Sequence, residues 1–118
     1  MDITSVVDAY VAAWNERSPG QRAELLAKAF IEHGTYVDPT AQVSGRDALV
    51  EHIGGFQEQF PAGRLERRSR IDGYRDVLRF AWALVPDEDT AAVEGVDFVT
   101  VDELGRLSSV TGFFGVLD

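Results

Sequence analysis

The sequence contains two carboxylates whose surroundings suit acid–base chemistry, and the first of them is Asp38. It ends a short predicted strand, residues 34–38, and Tyr36 shares its face because side chains two apart in a strand align. Pro39 cannot donate to a sheet ladder, which predicts an edge strand or a pocket rim. Asp38 is then either a general base whose pKa is raised by burial, or an Asp-Pro turn former that caps residues 40–44.

Asp97 is the second carboxylate. It lies in the segment 93–101, which is apolar on both faces and is therefore predicted to be a central strand. A carboxyl group buried there must be ion-paired, hydrogen-bonded or protonated. Gly95, two residues earlier on the same face, would leave space beside it. A salt bridge to an arginine of the adjacent strand is the alternative interpretation.

Tyr10 lies on the apolar stripe of the first predicted helix, one turn before Trp14. Its hydroxyl needs a partner when buried, which either a cavity or a backbone carbonyl can supply. Other side chains that the periodicity turns inward could line a small-ligand pocket, although such stripes also form ordinary core. The predicted lining comprises Trp14, Phe30, Tyr36, His52, Ile53, Phe56, Phe60, Trp82 and Phe113.

Neither a metal site nor a cofactor is expected. The two histidines, His33 and His52, are far apart in the sequence, and neither has a carboxylate at ligand spacing. His52 is more simply a packed histidine at the edge of a helix stripe. The sequence has zero cysteines and contains no Gly-rich phosphate loop and no nucleophile elbow.

Length and charge restrict the class of partner. With 118 residues and 45% hydrophobic content, the chain is predicted to form one domain, residues 1–118, with a real core. Its net charge of −9 argues against a nucleic-acid partner, and the arginines between residues 64 and 79 are expected to form a solvated sheet face. Without a long apolar run or a signal-peptide pattern, no membrane partner and a cytoplasmic location are expected.

Hydrophobic periodicity predicts the elements that must position these residues. Helices are expected over residues 3–15, 19–32 and 45–60. Ser18 and Ser44 are the predicted N-caps of the second and third helices. The Gly54-Gly55 pair in the third helix predicts a close approach of another backbone or of a ligand. An Asp72-Gly73 turn should join two strands. The predicted strands cover residues 34–38, 64–71, 74–85, 91–101 and 106–116, with turns at 86–89 and 102–105. This order predicts an α+β cone in which three N-terminal helices pack on a curved, mainly antiparallel sheet around a cavity.

Three motifs carry a resemblance to a known superfamily. They are the Tyr-x-Asp-Pro strand, the Ser-Gly-Arg-Asp start of helix three, and Asp-Phe-x-x-x-Asp-x-x-Gly-Arg-Leu-x-x-Val-x-Gly-Phe-Phe at residues 97–114. Together with the element order, they resemble the NTF2-like superfamily, within which the SnoaL-like polyketide cyclases and the ketosteroid isomerases are closest. The epoxide-hydrolase branch is ranked lower because Gly95 stands where its arginine would be expected.

The resemblance implies a mixed sheet and a reaction class. It makes Asp38 the general base, with Tyr10 and a protonated Asp97 as donors to an oxyanion, in a cofactor-independent isomerisation or polyketide cyclisation. The alternative is a non-catalytic module that holds a hydrophobic ligand. Such cones often form homodimers through the outer sheet face, and an apolar patch there is predicted to comprise Val96, Phe98, Val110 and Phe114.

Overall fold

The computed structural model describes residues 2–85 and 93–115, which form three helices and one seven-stranded sheet. The helices are α1 (Ile3–Asn15), α2 (Pro19–Ala29) and α3 (Arg46–Gln59). The strands are β1 (Phe30–Asp38), β2 (Ala41–Ser44), β3 (Arg64–Arg67), β4 (Asp72–Tyr74), β5 (Val77–Val85), β6 (Val93–Val101) and β7 (Leu107–Phe114).

The sheet is mixed, curved and open. Its strand order is β2-β1-β7-β6-β5-β3, with β4 also paired to β5, and every pair is antiparallel except β1 with β7. The predicted α+β class, with three helices on a mainly antiparallel mixed sheet, is confirmed. The apolar stripe of α1 packs into the core, and its most buried members are Val6, Val7, Tyr10, Ala13 and Trp14.

Two helix boundaries differ from those predicted. Helix α2 ends at Ala29 and not near His33, because Phe30 adopts an extended conformation and buries its ring in the core. Gly34 follows in the strand because the Phe30 ring occupies the place of a side chain there. The Ser18 cap of α2 is confirmed, since its hydroxyl accepts from the Gln21 N–H at 3.4 Å.

Ser44 does not cap α3 as predicted. It ends β2 instead, and Gly45 precedes the helix with a φ of 94°, a conformation that glycine adopts without strain. Strand β2 replaces the loop expected over residues 40–44, and Asp38 pairs with Ala41 where the hairpin closes. Consequently β2, and not β1, lies at the edge of the sheet.

The predicted Asp72-Gly73 turn is wrong. Both residues lie in β4, where Asp72 pairs with Arg79 and their side chains form a salt bridge at 2.9 Å. The chain reverses two residues later, at Arg75, which has a φ of 54°. The turn predicted at 86–89 and the strand start at 91–92 lie outside the described residues, as does the strand end beyond 115.

A buried polar network centred on Arg22 of α2 joins the residue after α1 to α3. The Arg22 guanidinium, on a residue only 3% exposed, donates to the carbonyl oxygens of Glu16 and Val50 at 3.0 Å and to Gln57 Oε1 at 2.7 Å. A side chain at Gly54 would lie 3.1 Å from this guanidinium, so the group that approaches that glycine is the Arg22 side chain, not the backbone or ligand that was predicted. The network fixes α3, which supplies one wall of the pocket described next.

Candidate functional site

A pocket of about 580 Å³ lies where residues of α1 and α3 meet those of the sheet. Its lining side chains fall into two groups by exposure. The buried end comprises Tyr10, Trp14, Tyr36, Trp82, Leu84 and Asp97. The exposed mouth comprises Thr40, Gly55, Gln59, Phe60, Val93 and Phe114, with Asp38, His52, Phe56 and Leu65 between the two groups.

The structure brings most of the predicted site residues together. Asp38, Asp97 and Tyr10 all line this one pocket. They are joined by six of the nine residues predicted as lining, namely Trp14, Tyr36, His52, Phe56, Phe60 and Trp82. Two of the other three, Phe30 and Ile53, are completely buried in the core and do not reach the pocket, because both face the packing between helices and sheet.

Phe113 is placed on the wrong face by the sequence pattern. In the β6–β7 pairing Val101 lies opposite Leu107 and Thr100 lies opposite Ser109, so β7 has one extra residue there, a β-bulge. The bulge reverses which side chains of β7 face inward and which face outward after Leu107. Phe114 therefore lines the pocket, and Phe113 is 56% exposed on the outer face, with its ring 5.6 Å from that of Phe98. The predicted outer patch loses its last two members in the same way, since Val110 is buried and Phe114 faces inward.

Asp38 serves as a turn former and as a pocket residue at once. Its Oδ1 accepts from the Thr40 N–H at 2.7 Å, the Thr40 hydroxyl at 2.8 Å and the Ala41 N–H at 2.9 Å. Its Oδ2 accepts from the Tyr36 hydroxyl at 2.6 Å. Partial burial alone would raise the pKa of Asp38, but the bonds from Tyr36, Thr40 and Ala41 outweigh burial and lower the pKa. Asp38 is therefore ionised at neutral pH, contrary to the expectation that its pKa is raised.

Asp97 has the opposite electrostatic environment. It is 6% exposed, and its Oδ1 accepts from the Trp82 indole N–H at 2.9 Å. Burial raises the pKa of Asp97 to about 7 against the lowering effect of that hydrogen bond, and the charge of Asp38 adds to the rise. Within the described residues no arginine pairs with Asp97, so the salt-bridge interpretation is not supported. The space expected above Gly95 is filled by the Trp82 ring.

The two carboxyl groups flank Gly112 of β7. The position that a Cβ would take on this buried glycine lies 3.0 Å from Asp97 Oδ1 and 3.6 Å from the Cβ of Asp38. Asp97 and Gly112 are direct cross-strand neighbours, and β1 lies on the other side of β7. Absence of a side chain at Gly112 thus leaves both carboxyl groups facing the same space.

Two tyrosines, Tyr10 and Tyr36, also line the pocket. Burial raises the pKa of Tyr10 well above its ordinary value, with a further rise from the charge of Asp97. Burial likewise raises the pKa of Tyr36. Both tyrosines are protonated at neutral pH and can donate hydrogen bonds, and Tyr36 donates one to the carboxylate of Asp38.

Several lining residues were not anticipated from the sequence. Thr40 had a usable signal, because the residue two after an Asp-Pro aspartate commonly donates to its carboxylate. Gly55 lies at the mouth, and no atom lies within 4 Å of where its Cβ would be, so the close approach predicted for the second glycine of the pair is not found. Leu65, Leu84 and Val93 look like any strand residue, and no local pattern separates them from core.

Two classes of feature are absent from the part of the chain that the structure describes. It contains no group of three or more His, Cys, Asp or Glu side chains that could hold a metal ion. Within the same residues, none of the helices is long and apolar enough to cross a membrane.

Comparison with solved structures places this fold in the NTF2-like class. An NTF2-like protein from Cytophaga hutchinsonii superposes with a TM-score of 0.71 at 10% identity, covering 98% of this chain and 91% of that one. A candidate ketosteroid isomerase from Kribbella flavida gives a TM-score of 0.70 at 20% identity, covering 98% and 79%. These likenesses establish the fold.

The family follows from two further matches. The model of the SnoaL-like domain matches residues 7–110, so the chain belongs to the SnoaL-like family. A candidate isomerase of that family from Agrobacterium tumefaciens is 32% identical, with a TM-score of 0.88 and coverage of 96% of this chain and 97% of that one. A search of functionally curated proteins gave no match.

Proposed function

We propose that this protein is a cofactor-independent enzyme that moves a proton on a carbon next to the carbonyl group of an apolar small molecule. The observation that carries the proposal is a pair of carboxyl groups in one pocket whose pKa values are shifted in opposite directions, down for Asp38 and up to about 7 for Asp97. Such a separation supplies a base and an acid at the same pH. The relative from Agrobacterium, a candidate isomerase, is consistent with this reaction class.

Asp38 is the proposed base. It is ionised at neutral pH and lies between the buried end of the pocket and its mouth. A low pKa makes it a weak base, but ketosteroid isomerase uses an aspartate base with a pKa of only ~4.6 because its oxyanion hole stabilises the enolate. The bonds that hold Asp38 Oδ1 in the turn also fix the direction of Oδ2.

Asp97 and Tyr10 are the proposed donors to the developing oxyanion. Because Asp97 Oδ1 accepts the Trp82 N–H, the proton of the neutral acid resides on Oδ2, which makes no hydrogen bond with the described residues. The Tyr10 hydroxyl is protonated, and its proton has no acceptor among the described residues. Both groups can therefore donate to a substrate oxygen, and in a pocket that excludes water such bonds stabilise an enolate strongly.

The proton balance of the reaction is simple. Asp38 takes a proton from the carbon next to the carbonyl, and the electron pair moves onto the oxygen to give an enolate. Return of the proton to another carbon gives an isomer. Attack of the enolate carbon on a second carbonyl instead closes a ring, and the alkoxide formed at that carbonyl takes the proton back from Asp38. Both outcomes regenerate the ionised Asp38 without a redox or metal step.

The test is exchange of the α-protons of 1-tetralone, a bicyclic aryl ketone, in deuterated water, followed by proton NMR. Asp38→Asn keeps an Oδ1 to accept from Thr40 and Ala41 but removes the base, so we expect exchange to fall at least ~100-fold while tetralone still binds. Asp47→Asn, at an exposed position on α3, is the matched control and should exchange like the unchanged protein. Exchange by Asp38→Asn at the rate of that control would refute the role of Asp38.

A non-catalytic binding module is the second candidate. It is favoured by the three bonds to Asp38 Oδ1, which a structural turn alone would explain. Tetralone binding without any exchange above the solution rate would identify this function.

We also infer a homodimer formed through the outer face of the sheet. Phe98 and Phe113 stack edge to face there and are 39% and 56% exposed. Sedimentation velocity should show a dimer, and a monomer at micromolar concentration would contradict it.

A further inference from the structure

The Tyr36 hydroxyl donates the shortest hydrogen bond that the described residues make to Asp38. It lies 2.6 Å from Oδ2, whereas the three donors of the turn lie 2.7, 2.8 and 2.9 Å from Oδ1. An ionised carboxylate offers about two lone-pair sites on each oxygen. Oδ1 is therefore fully used by the turn, and Oδ2 keeps one free site beside the bond from Tyr36.

The Tyr36 side chain is held firmly in this position. It is 6% exposed, and its ring packs against those of Trp14 and His52 with centroid separations of 5.5 and 5.6 Å. Burial raises the pKa of Tyr36, so its hydroxyl keeps its proton and acts as a donor to the carboxylate. The packed ring thus fixes a hydrogen-bond donor on the oxygen of Asp38 that can still take a proton.

The other titratable groups of the pocket come from different elements. Tyr10 of α1, His52 of α3 and Asp97 of β6 line it together with Asp38 of β1. None of these three groups forms a hydrogen bond or an ion pair with Asp38 among the described residues. Partial burial raises the pKa of Asp38, and the Tyr36 hydrogen bond does most to lower it instead.

We propose that Tyr36 is a positioning residue that acts through Asp38: it occupies one lone pair of Oδ2, leaves the other for the substrate proton, and favours the ionised base. This role rests on the proposed function of Asp38. A hydrogen bond to a carboxylate weakens when the same oxygen takes a proton. Tyr36 therefore keeps Asp38 ionised in mild acid but lowers the rate at which it removes a proton from carbon.

The first test measures the Asp38 carboxyl group without a ligand. Tyr36→Phe removes the hydroxyl and keeps the ring that packs against Trp14 and His52. With carbon-13 in the aspartate carboxyl groups, the Asp38 signal is the one missing from Asp38→Asn, and its titration midpoint should rise by about one pH unit in Tyr36→Phe. Tyr74→Phe, at a 74% exposed position on β4, is the matched control and should leave the midpoint unchanged. A midpoint that Tyr36→Phe does not move overturns the proposal.

The second test is the pH profile of α-proton exchange in 1-tetralone. In the unchanged protein, exchange should rise as Asp38 ionises and fall as Asp97 ionises near pH 7. In Tyr36→Phe the rising limb should move up by about one pH unit. At pH 6, between the two limbs, the variant should exchange about 3-fold faster, because its ionised base is stronger. A merely structural role for Tyr36 would instead lower the rate at every pH without moving the limb, and that result would contradict the proposal.

Failure here is distinguishable from failure of the proposed function. A shifted Asp38 midpoint in a protein that exchanges no α-protons would refute the enzyme and leave Tyr36 as the residue that favours ionised Asp38. Exchange with an unshifted midpoint would keep the enzyme and remove this role of Tyr36.

Discussion

Replacement of Asp97 by asparagine should change how the stability of the protein depends on pH. In the folded protein the pKa of Asp97 is about 7, against an ordinary value of 3.8. A carboxyl group whose folded pKa is raised stabilises the fold while protonated, below its unfolded pKa, and loses that contribution as pH rises through its folded pKa. A difference of about three pKa units corresponds to about 4 kcal/mol of unfolding free energy, lost between about pH 4 and pH 7.

Asparagine is a neutral mimic of the protonated acid, and its Oδ1 can still accept from Trp82. At pH 4 the variant and the unchanged protein should therefore have similar stability. By pH 8 the variant should be more stable by up to about 4 kcal/mol, because only the unchanged protein has to bury a charge. Other carboxyl groups, Asp38 included, contribute to both proteins and largely cancel in the difference.

The assay is urea unfolding of both proteins at intervals from pH 4 to pH 8, followed by tryptophan fluorescence. The quantity of interest is the difference in unfolding free energy at each pH, together with equal urea slopes for the two proteins. A difference that stays constant over this range would refute the reasoning, since it would mean that Asp97 does not titrate there.

Two further changes test the polar contacts around the pocket. Trp82→Phe removes the N–H that favours ionised Asp97, so the pKa of Asp97 should rise above 7 by about one unit. Carbon-13 NMR of the Asp97 carboxyl carbon measures this pKa directly. The pH at which tetralone exchange is lost should move upward as well. A carboxyl pKa that stays the same would show that the hydrogen bond is not formed. Arg22→Met leaves Gln57 Oε1 without its donor. Urea unfolding should therefore show an unfolding free energy that is lower by about 2–3 kcal/mol. A loss below ~0.5 kcal/mol would mean that the network does not stabilise the fold.

The helices and strands were predicted well where the spacing of apolar residues alone was sufficient to identify them. Helix α1 has a stripe of apolar residues at three- and four-residue spacing and is found where that stripe predicts it. Asp97 interrupts a segment that is otherwise apolar on both faces, and this contrast made it the most informative residue. Its burial is confirmed, whereas its partner, the Trp82 indole, could not be predicted because it depends on the register between β5 and β6.

Register also explains the errors. One extra residue in β7, at a bulge next to Leu107, exchanges the faces of Phe113 and Phe114, and no residue in that stretch marks the bulge. The displaced hairpin turn has a similar origin. Asp72-Gly73 has a stronger local preference for a turn than Arg75 has, but the pairing of Asp72 and Gly73 with β5 overrides it.

The two interpretations of Asp38, as a turn former and as a general base, are compatible. The bonds from Thr40 and Ala41 that make it a turn former also lower its pKa, and this keeps it ionised. Asp97 receives only one hydrogen bond and is deeply buried, so its pKa rises. The same pocket thereby holds one carboxylate and one carboxylic acid near pH 7. The turn at Asp38 therefore also acts on the chemistry of the pocket, because its hydrogen bonds lower the pKa of the proposed base.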